Sequence, residues 1–155
     1  MNLDNLEEWM KGYIAGVIDG EGTIRLNYIR KRDLYYPEVI ITNSDVDMLI
    51  AIQLMLDHKG TIGSQLSTQY GTDWKGRPIK QRKPIRRIYI SNRKDVKDLL
   101  EQIKDYLVTK TEQAQLVLEF IEIRDNLDTR RGSLFGERSD REAVIFSRME
   151  VLNER

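Results

Sequence analysis

The stretch Ile14-Ala15-Gly16-Val17-Ile18-Asp19-Gly20-Glu21-Gly22 decides how the rest of the chain is read. It closes a run from Leu6 to Asp19 in which Leu6, Met10, Tyr13, Ile14, Val17 and Ile18 recur near a 3.6-residue period, the pattern of a helix with one apolar face. Ala15 and Gly16 are small, so a second backbone can approach closely and two such helices can pack side by side. The glycines at 20 and 22 permit backbone conformations that other residues resist, so the Glu21 carboxylate can be delivered at the helix end. Two copies of the helix in contact would bring two glutamates together near a symmetry axis, where a divalent cation relieves their repulsion. Taken alone, Asp-Gly-Glu-Gly reads equally as a solvated helix terminus.

Downstream, Thr23 to Lys31 alternates, with Ile24, Leu26 and Tyr28 on one face and Arg25, Asn27, Ile29 and Lys31 on the other, which predicts a half-buried strand. After a polar turn around Lys31, Arg32 and Asp33, Tyr35 to Thr42 reads as a second strand. Asn43-Ser44-Asp45 supplies helix-capping chemistry for an apolar stretch from Val46 to Leu56. A third strand begins near Gly60, a long hairpin passes through Gly71, Gly76, Pro78 and Pro84, and Ile85 to Ser91 returns as the fourth. Two helices follow, Asp95 to Leu107 and Glu112 to Asn126, then a connector from Thr129 to Arg138 and a last helix near Asp140 to Leu152.

The chain has 155 residues, 40% hydrophobic and 32% charged, which suits one ordered domain over 1–155 with a core of about 6–125 and a helical extension of about 126–155. There is no cysteine, so disulfide scaffolds and thiolate metal sites are excluded. No apolar run is long enough to span a bilayer and the N-terminus is acidic, so a soluble, intracellular protein without a membrane partner is expected. Net charge is zero, but Lys59 to Lys94 holds ten basic residues against the single acid Asp73. One cationic surface on a neutral protein is the footprint of a nucleic-acid partner.

The nine-residue stretch and the order of elements resemble the LAGLIDADG homing endonucleases, whose motif helix ends in Gly-Asp/Glu-Gly and whose domain runs αββαββα. The resemblance covers Leu6 to Arg124 and includes a second segment, Tyr106 to Leu118, where Lys110 precedes Gln113-Ala114 and an apolar helix. It implies an α+β fold with a four-stranded antiparallel DNA-binding sheet. It also implies a site-specific endonuclease that hydrolyses double-stranded DNA at a long, pseudo-palindromic target, using Mg2+ or another divalent cation such as Mn2+. A single motif in a short chain resembles the homodimeric members, in which the motif helix forms the interface, here through Tyr13, Ile14, Ala15, Gly16, Val17 and Asp19. The first motif position is Ile14 where Leu is usual, and Glu21 stands where many relatives have Asp.

Carried over residue by residue, the resemblance makes Glu21 the metal ligand with the Gly20 carbonyl beside it, Lys110 the basic residue near the scissile phosphate, and Asn43 a polar, water-positioning side chain. The exposed strand faces comprise Arg25, Asn27, Ile29 and Lys31; Glu38, Ile40 and Thr42; Gln65, Ser67 and Gln69; and Arg87 and Tyr89. Arg, Asn and Gln can pair with base edges in the major groove. Lys75, Arg77, Lys80, Arg82 and Lys83 are better suited to hold phosphates. Two other readings stay open: a non-cleaving module on the same fold, such as an intron maturase or transcription regulator, and a basic domain that binds nucleic acid without sequence preference.

Overall fold

A computed structural model describes residues 6–63, 70–72, 74–80, 85–126 and 135–154. The elements run α1 (Glu8–Glu21), β1 (Gly22–Ile29), β2 (Leu34–Asn43), α2 (Val46–Met55), β3 (Thr61–Gly63), β4 (Tyr70–Thr72), β5 (Pro78–Lys80), β6 (Arg86–Ile90), α3 (Arg93–Ile103), α4 (Thr111–Asn126) and α5 (Phe135–Asn153). β1, β2, β6 and β3 form one antiparallel sheet in that order, and β4 and β5 pair separately as a small hairpin inserted between β3 and β6. The expected αββαββα order is therefore present, with α4 and α5 following it.

Side-chain alternation sorts the sheet into two faces. Gly22 pairs with Ile41, Ile24 with Val39 and Ile41 with Ile88, so the β-branched residues share one side. Against them pack Ile14, Ala15 and Ile18 of α1, Leu49 and Ile52 of α2, Leu99, Leu100 and Ile103 of α3, and Val117, Phe120 and Ile121 of α4. Removing these aliphatic side chains from water supplies the main driving force for the layer of helices on the sheet.

Local chemistry sets the element ends. Asp45 caps α2 by accepting from the Met48 N–H, and Asn92 caps α3 by accepting from Lys94 and Asp95. That cap starts α3 at Arg93, two residues before the predicted boundary, and the helix ends at Ile103 in a 3-10 turn over Lys104–Tyr106. β1 also ends early, at Ile29, because Arg30–Arg32 form a 3-10 turn closed by Asp33 in the left-handed region. Lys31 is thus moved from the expected strand face to a hairpin end, flanked by Arg30 and Arg32.

α5 begins five residues before the predicted start and lies on α4 and on β1, the sheet's edge strand. Asn153 donates to the Ile24 carbonyl at 3.0 Å, and Phe146 joins Tyr28 and Tyr35 in an aromatic cluster. Covering an edge in this way removes a row of unpaired backbone groups that would otherwise recruit another strand. The α4–α5 contact also encloses an Arg124–Glu142 ion pair, 2.6 Å between Nε and Oε1, with the guanidinium over the Phe120 ring. No helix among the described residues is long and apolar enough to cross a membrane.

Candidate functional site

Glu21 is the last residue of α1, where the helix runs directly into β1. Gly22 makes this junction possible through close approach. Its N–H bonds the Ile18 carbonyl, and a Cβ at this position would lie 2.7 Å from Ile18 Cα. Gly20 and Gly22 both lack a positive φ, so unusual backbone conformation is not their role here, contrary to expectation. Glu21 is exposed and its side chain makes no hydrogen bond or ion pair with any described residue. Glu21 belongs to the last turn of α1, whose final carbonyls lack intrahelical partners.

The second predicted segment folds back onto this end of α1. The Asp19 carboxylate accepts from the N–H groups of Val108 at 2.7 Å, Thr109 at 3.2 Å and Lys110 at 3.1 Å, and from the Thr109 hydroxyl at 2.9 Å. Burial acts to raise the Asp19 pKa, but the bonds from Val108, Thr109 and Lys110 outweigh it and hold the carboxyl below its ordinary value. Lys110 Nζ then reaches the Asp19 carbonyl at 2.5 Å, two residues from Glu21. A cation here also complements the negative end of the α1 dipole. Glu21, Gly20 and Lys110 are therefore gathered at one helix terminus, about ninety residues of sequence having been closed by Asp19.

Asn43, the last residue of β2, extends two residues beyond the partner of Gly22, toward this terminus. Its Oδ1 accepts from the Asp45 N–H at 2.8 Å and its Nδ2 faces the Met48 sulfur at 3.4 Å, so the amide organises the entry to α2.

The donor set at the α1 terminus is one carboxylate with main-chain carbonyls. These are hard oxygen ligands of the kind Mg2+ and Ca2+ accept, but too few for a full coordination shell. Among the described residues, no group of three or more His, Cys, Asp or Glu side chains could hold a metal. The residues fit a divalent cation as part of a site to which a second chain or a phosphate must contribute.

On α1, Ile14 and Ala15, two of the residues expected at a helix-helix contact, are fully buried in the chain's own core. The outward stripe is instead Trp9, Gly12, Tyr13, Gly16 and Gly20, with Val17 partly covered at its margin. A Cβ at Gly16 or Gly20 would meet nothing within 4 Å among the described residues. Glycines at every fourth position form a smooth groove along a helix. That four-residue spacing was available in the sequence; Gly12 and Gly20 completed a pattern of which only Gly16 had been counted. Asp19, expected at the same contact, is engaged by the 108–110 turn.

The sheet's second face is polar. Register places Arg25, Asn27 and Ile29 of β1, Tyr36, Glu38, Ile40 and Thr42 of β2, Arg87 and Tyr89 of β6 and Thr61 of β3 on one side. Glu38 and Ile40 are buried rather than exposed, because neighbouring strands crowd the middle of the sheet, and Glu38 is ion-paired to Arg25 at 2.7 Å. Tyr36 was missed: its alternation was legible, but its partner Asn27 was not. Gln65, Ser67, Gln69, Arg82 and Lys83 lie outside the described residues, and Lys80 sits on β5. Lys75 and Arg77 are exposed at the hairpin turn, where the Lys75 ammonium stands 4.6 Å from the centre of the Trp74 ring. Trp74 itself is 88% exposed and was not anticipated. At the ends of the basic run, Lys59, Arg93 and Lys94 pair with Asp95, Asp125 and Asp98.

An antiparallel sheet backed by helices on one face and polar on the other, entered from a helix that ends in a carboxylate, defines an α+β fold of the LAGLIDADG homing-endonuclease type. The model of the LAGLIDADG-like domain matches residues 8–104, more than half of the chain, and the chain belongs to that family. No curated protein matches it. Among solved structures, the archaeal intron-encoded homing endonuclease I-Vdi141I complexed with DNA is similar at a TM-score of 0.71 and 18% identity, over 94% of this chain and 84% of that one. The homing endonuclease I-CvuI, in complex with the I-CreI target and 2 mM Mg with the DNA not cleaved, is similar at 0.70 and 18%, over 94% and 82%. I-GzeII bound to its DNA target is similar at 0.69 and 14%, over 88% of this chain but 43% of that one. At these identities the likeness concerns the fold.

Proposed function

We propose that this chain is a homodimeric, divalent-metal-dependent endonuclease that cuts double-stranded DNA at a long, pseudo-palindromic site. The observation that carries the reading is the meeting of Lys110 with the α1 terminus, its ammonium 2.5 Å from the Asp19 carbonyl and close in sequence to an unpaired Glu21. Structural relatives crystallised with DNA, and in two cases with Mg or Ca, support the same partner and cofactor class.

In this reading two α1 helices pack through Gly12, Gly16 and Gly20, setting the two Glu21 carboxylates near the two-fold axis and mirroring the symmetry of the target. Glu21 and the Gly20 carbonyl are the groups that would hold the cation, which when bound activates water and neutralises the leaving oxygen. Lys110 supplies positive charge where the phosphate becomes more negative as water adds to phosphorus and the bond to the leaving oxygen breaks. The sheet's polar face follows the major groove, and the basic hairpin around Lys75 and Arg77 holds phosphates.

The test is cleavage of a randomised duplex library with Mg2+ or Mn2+ by the wild type, Glu21→Gln and Lys110→Met, with sequencing of the cut ends. Cuts at one extended, partly symmetric site are expected, absent with Glu21→Gln and slowed on the order of 10²-fold with Lys110→Met, the effect of removing one stabilising group. Full cleavage by Glu21→Gln overturns the assignment. Retention of DNA or RNA without cleavage under any divalent metal points to the non-cleaving binding module instead.

A further inference from the structure

Two cross-strand pairs stand in directly opposite register on the polar face, Arg25 with Glu38 and Asn27 with Tyr36. Arg25 donates through Nε at 2.8 Å and Nη2 at 2.7 Å, both to Oε2 of Glu38. The Arg25 side chain is 40% exposed and that of Glu38 only 8%, so the carboxylate lies beneath and the guanidinium above. In the other pair, Asn27 Nδ2 donates to the Tyr36 hydroxyl at 2.6 Å, while Asn27 Oδ1 accepts from the Tyr28 N–H at 2.9 Å. A phenol carries one hydrogen. Having accepted from Asn27, Tyr36 keeps that hydrogen to donate elsewhere.

We propose that these pairs are preassembled reading units, in which Glu38 positions Arg25 to recognise guanine and Asn27 orients the Tyr36 hydroxyl to donate to a neighbouring base pair. This rests on the sheet facing DNA. With the Nε–Nη2 edge occupied by Glu38, Arg25 retains both hydrogens of Nη1 and the second of Nη2, and one from each nitrogen leaves the same end of the planar group. That end matches the O6 and N7 acceptors of guanine. The pair carries no net charge, so its contribution is orientation more than attraction to phosphate. Because the guanidinium is already fixed before DNA arrives, it cannot swing to satisfy a different base, and mismatch leaves its donors unpaired. Tyr36 and Glu38 are two residues apart on β2, a separation of roughly 7 Å, or about two base-pair steps.

The experiment is selection of bound sequences from a randomised duplex library by the full-length protein in EDTA, comparing wild type, Glu38→Gln, Glu38→Asp and Tyr36→Phe. The wild-type motif should contain a guanine whose preference falls on the order of tenfold with Glu38→Gln, the scale of one bidentate base contact. The salt dependence of binding should steepen in the same variant as the Arg25 charge is released, and Glu38→Asp should restore part of the preference. Tyr36→Phe should relax a different position, about two base pairs away. Preferences left unchanged by both Glu38→Gln and Tyr36→Phe, or weakened equally at every position, overturn the paired units alone. A wild type that selects no sequence overturns the sheet as a reading surface, and the units with it.

Discussion

The Asp19 carboxylate accepts four hydrogen bonds from Val108, Thr109 and Lys110, while its own carbonyl receives the Lys110 ammonium. One residue thus fixes both the backbone and the side chain of the turn that brings Lys110 to the end of α1. Asp19→Asn keeps the size but replaces an acceptor oxygen with an NH2 that faces other donors. It should cost about 1–2 kcal/mol of stability, in the range of charge-assisted bonds at a partly solvated site, seen as a lower melting temperature. If Asp19 positions Lys110, cleavage should fall further than the loss of folded protein explains, measured at a temperature where the variant remains fully folded. Cleavage equal to wild type under those conditions would reduce Asp19 to a stabilising residue. Gly22 is constrained differently: a Cβ there meets the Ile18 backbone, which cannot move aside as a flexible side-chain end can.

α1 presents two surfaces, and among the described residues only one is covered. Ile14, Ala15 and Ile18 meet the core, whereas Gly12, Gly16 and Gly20 form an outward groove bordered by Trp9 and Tyr13. Gly16→Leu therefore separates folding from association. Nothing among the described residues lies within 4 Å of the new Cβ, and relief of the glycine penalty should leave the monomer unchanged or stabilised by up to about 1 kcal/mol. In the proposed dimer the same side chain would fill the groove, so sedimentation velocity should shift from dimer to monomer while the melting temperature of the monomer holds. A dimer that persists would place the interface elsewhere. The helix itself was legible from its period, as were the capping residues of α2 and α3, because these signals are local in sequence. Which way Ile14 and Ala15 point was not, since apolar or small residues at 13–18 surround nearly the whole helix and a period cannot choose between two apolar sides. The burial of Glu38 was hidden for another reason. Alternation placed it on the polar face correctly, but its burial beneath Arg25 follows from strand register, a long-range property. Asp19 likewise revealed its function only when residues 108–110 were brought alongside.

If the proposed reading holds, the incomplete donor set at the α1 terminus makes metal, dimer and DNA depend on one another. One described chain offers a single free carboxylate with nearby carbonyls, and no cluster of three ligating side chains. Mg2+ keeps its waters unless several well-placed oxygens replace them, so the free protein should bind it only in the millimolar range or more weakly. A second Glu21 and a bound phosphate would add the missing negative oxygens together. Metal and DNA binding are then linked, and the coupling must be equal in both directions: whatever factor DNA adds to metal affinity, metal adds to DNA affinity. Titrating Mn2+ into free protein and into a complex with uncleaved target should show tightening on the order of tenfold to a hundredfold, and DNA affinity measured with and without metal should change by the same factor. Glu21→Gln should abolish the coupling while leaving the metal-free affinity for DNA in place, because the sheet and hairpin contacts need no cation. Micromolar metal binding by the free protein, unaffected by DNA or by Glu21→Gln, would locate the cation away from α1 and break the connection drawn between Glu21 and cleavage.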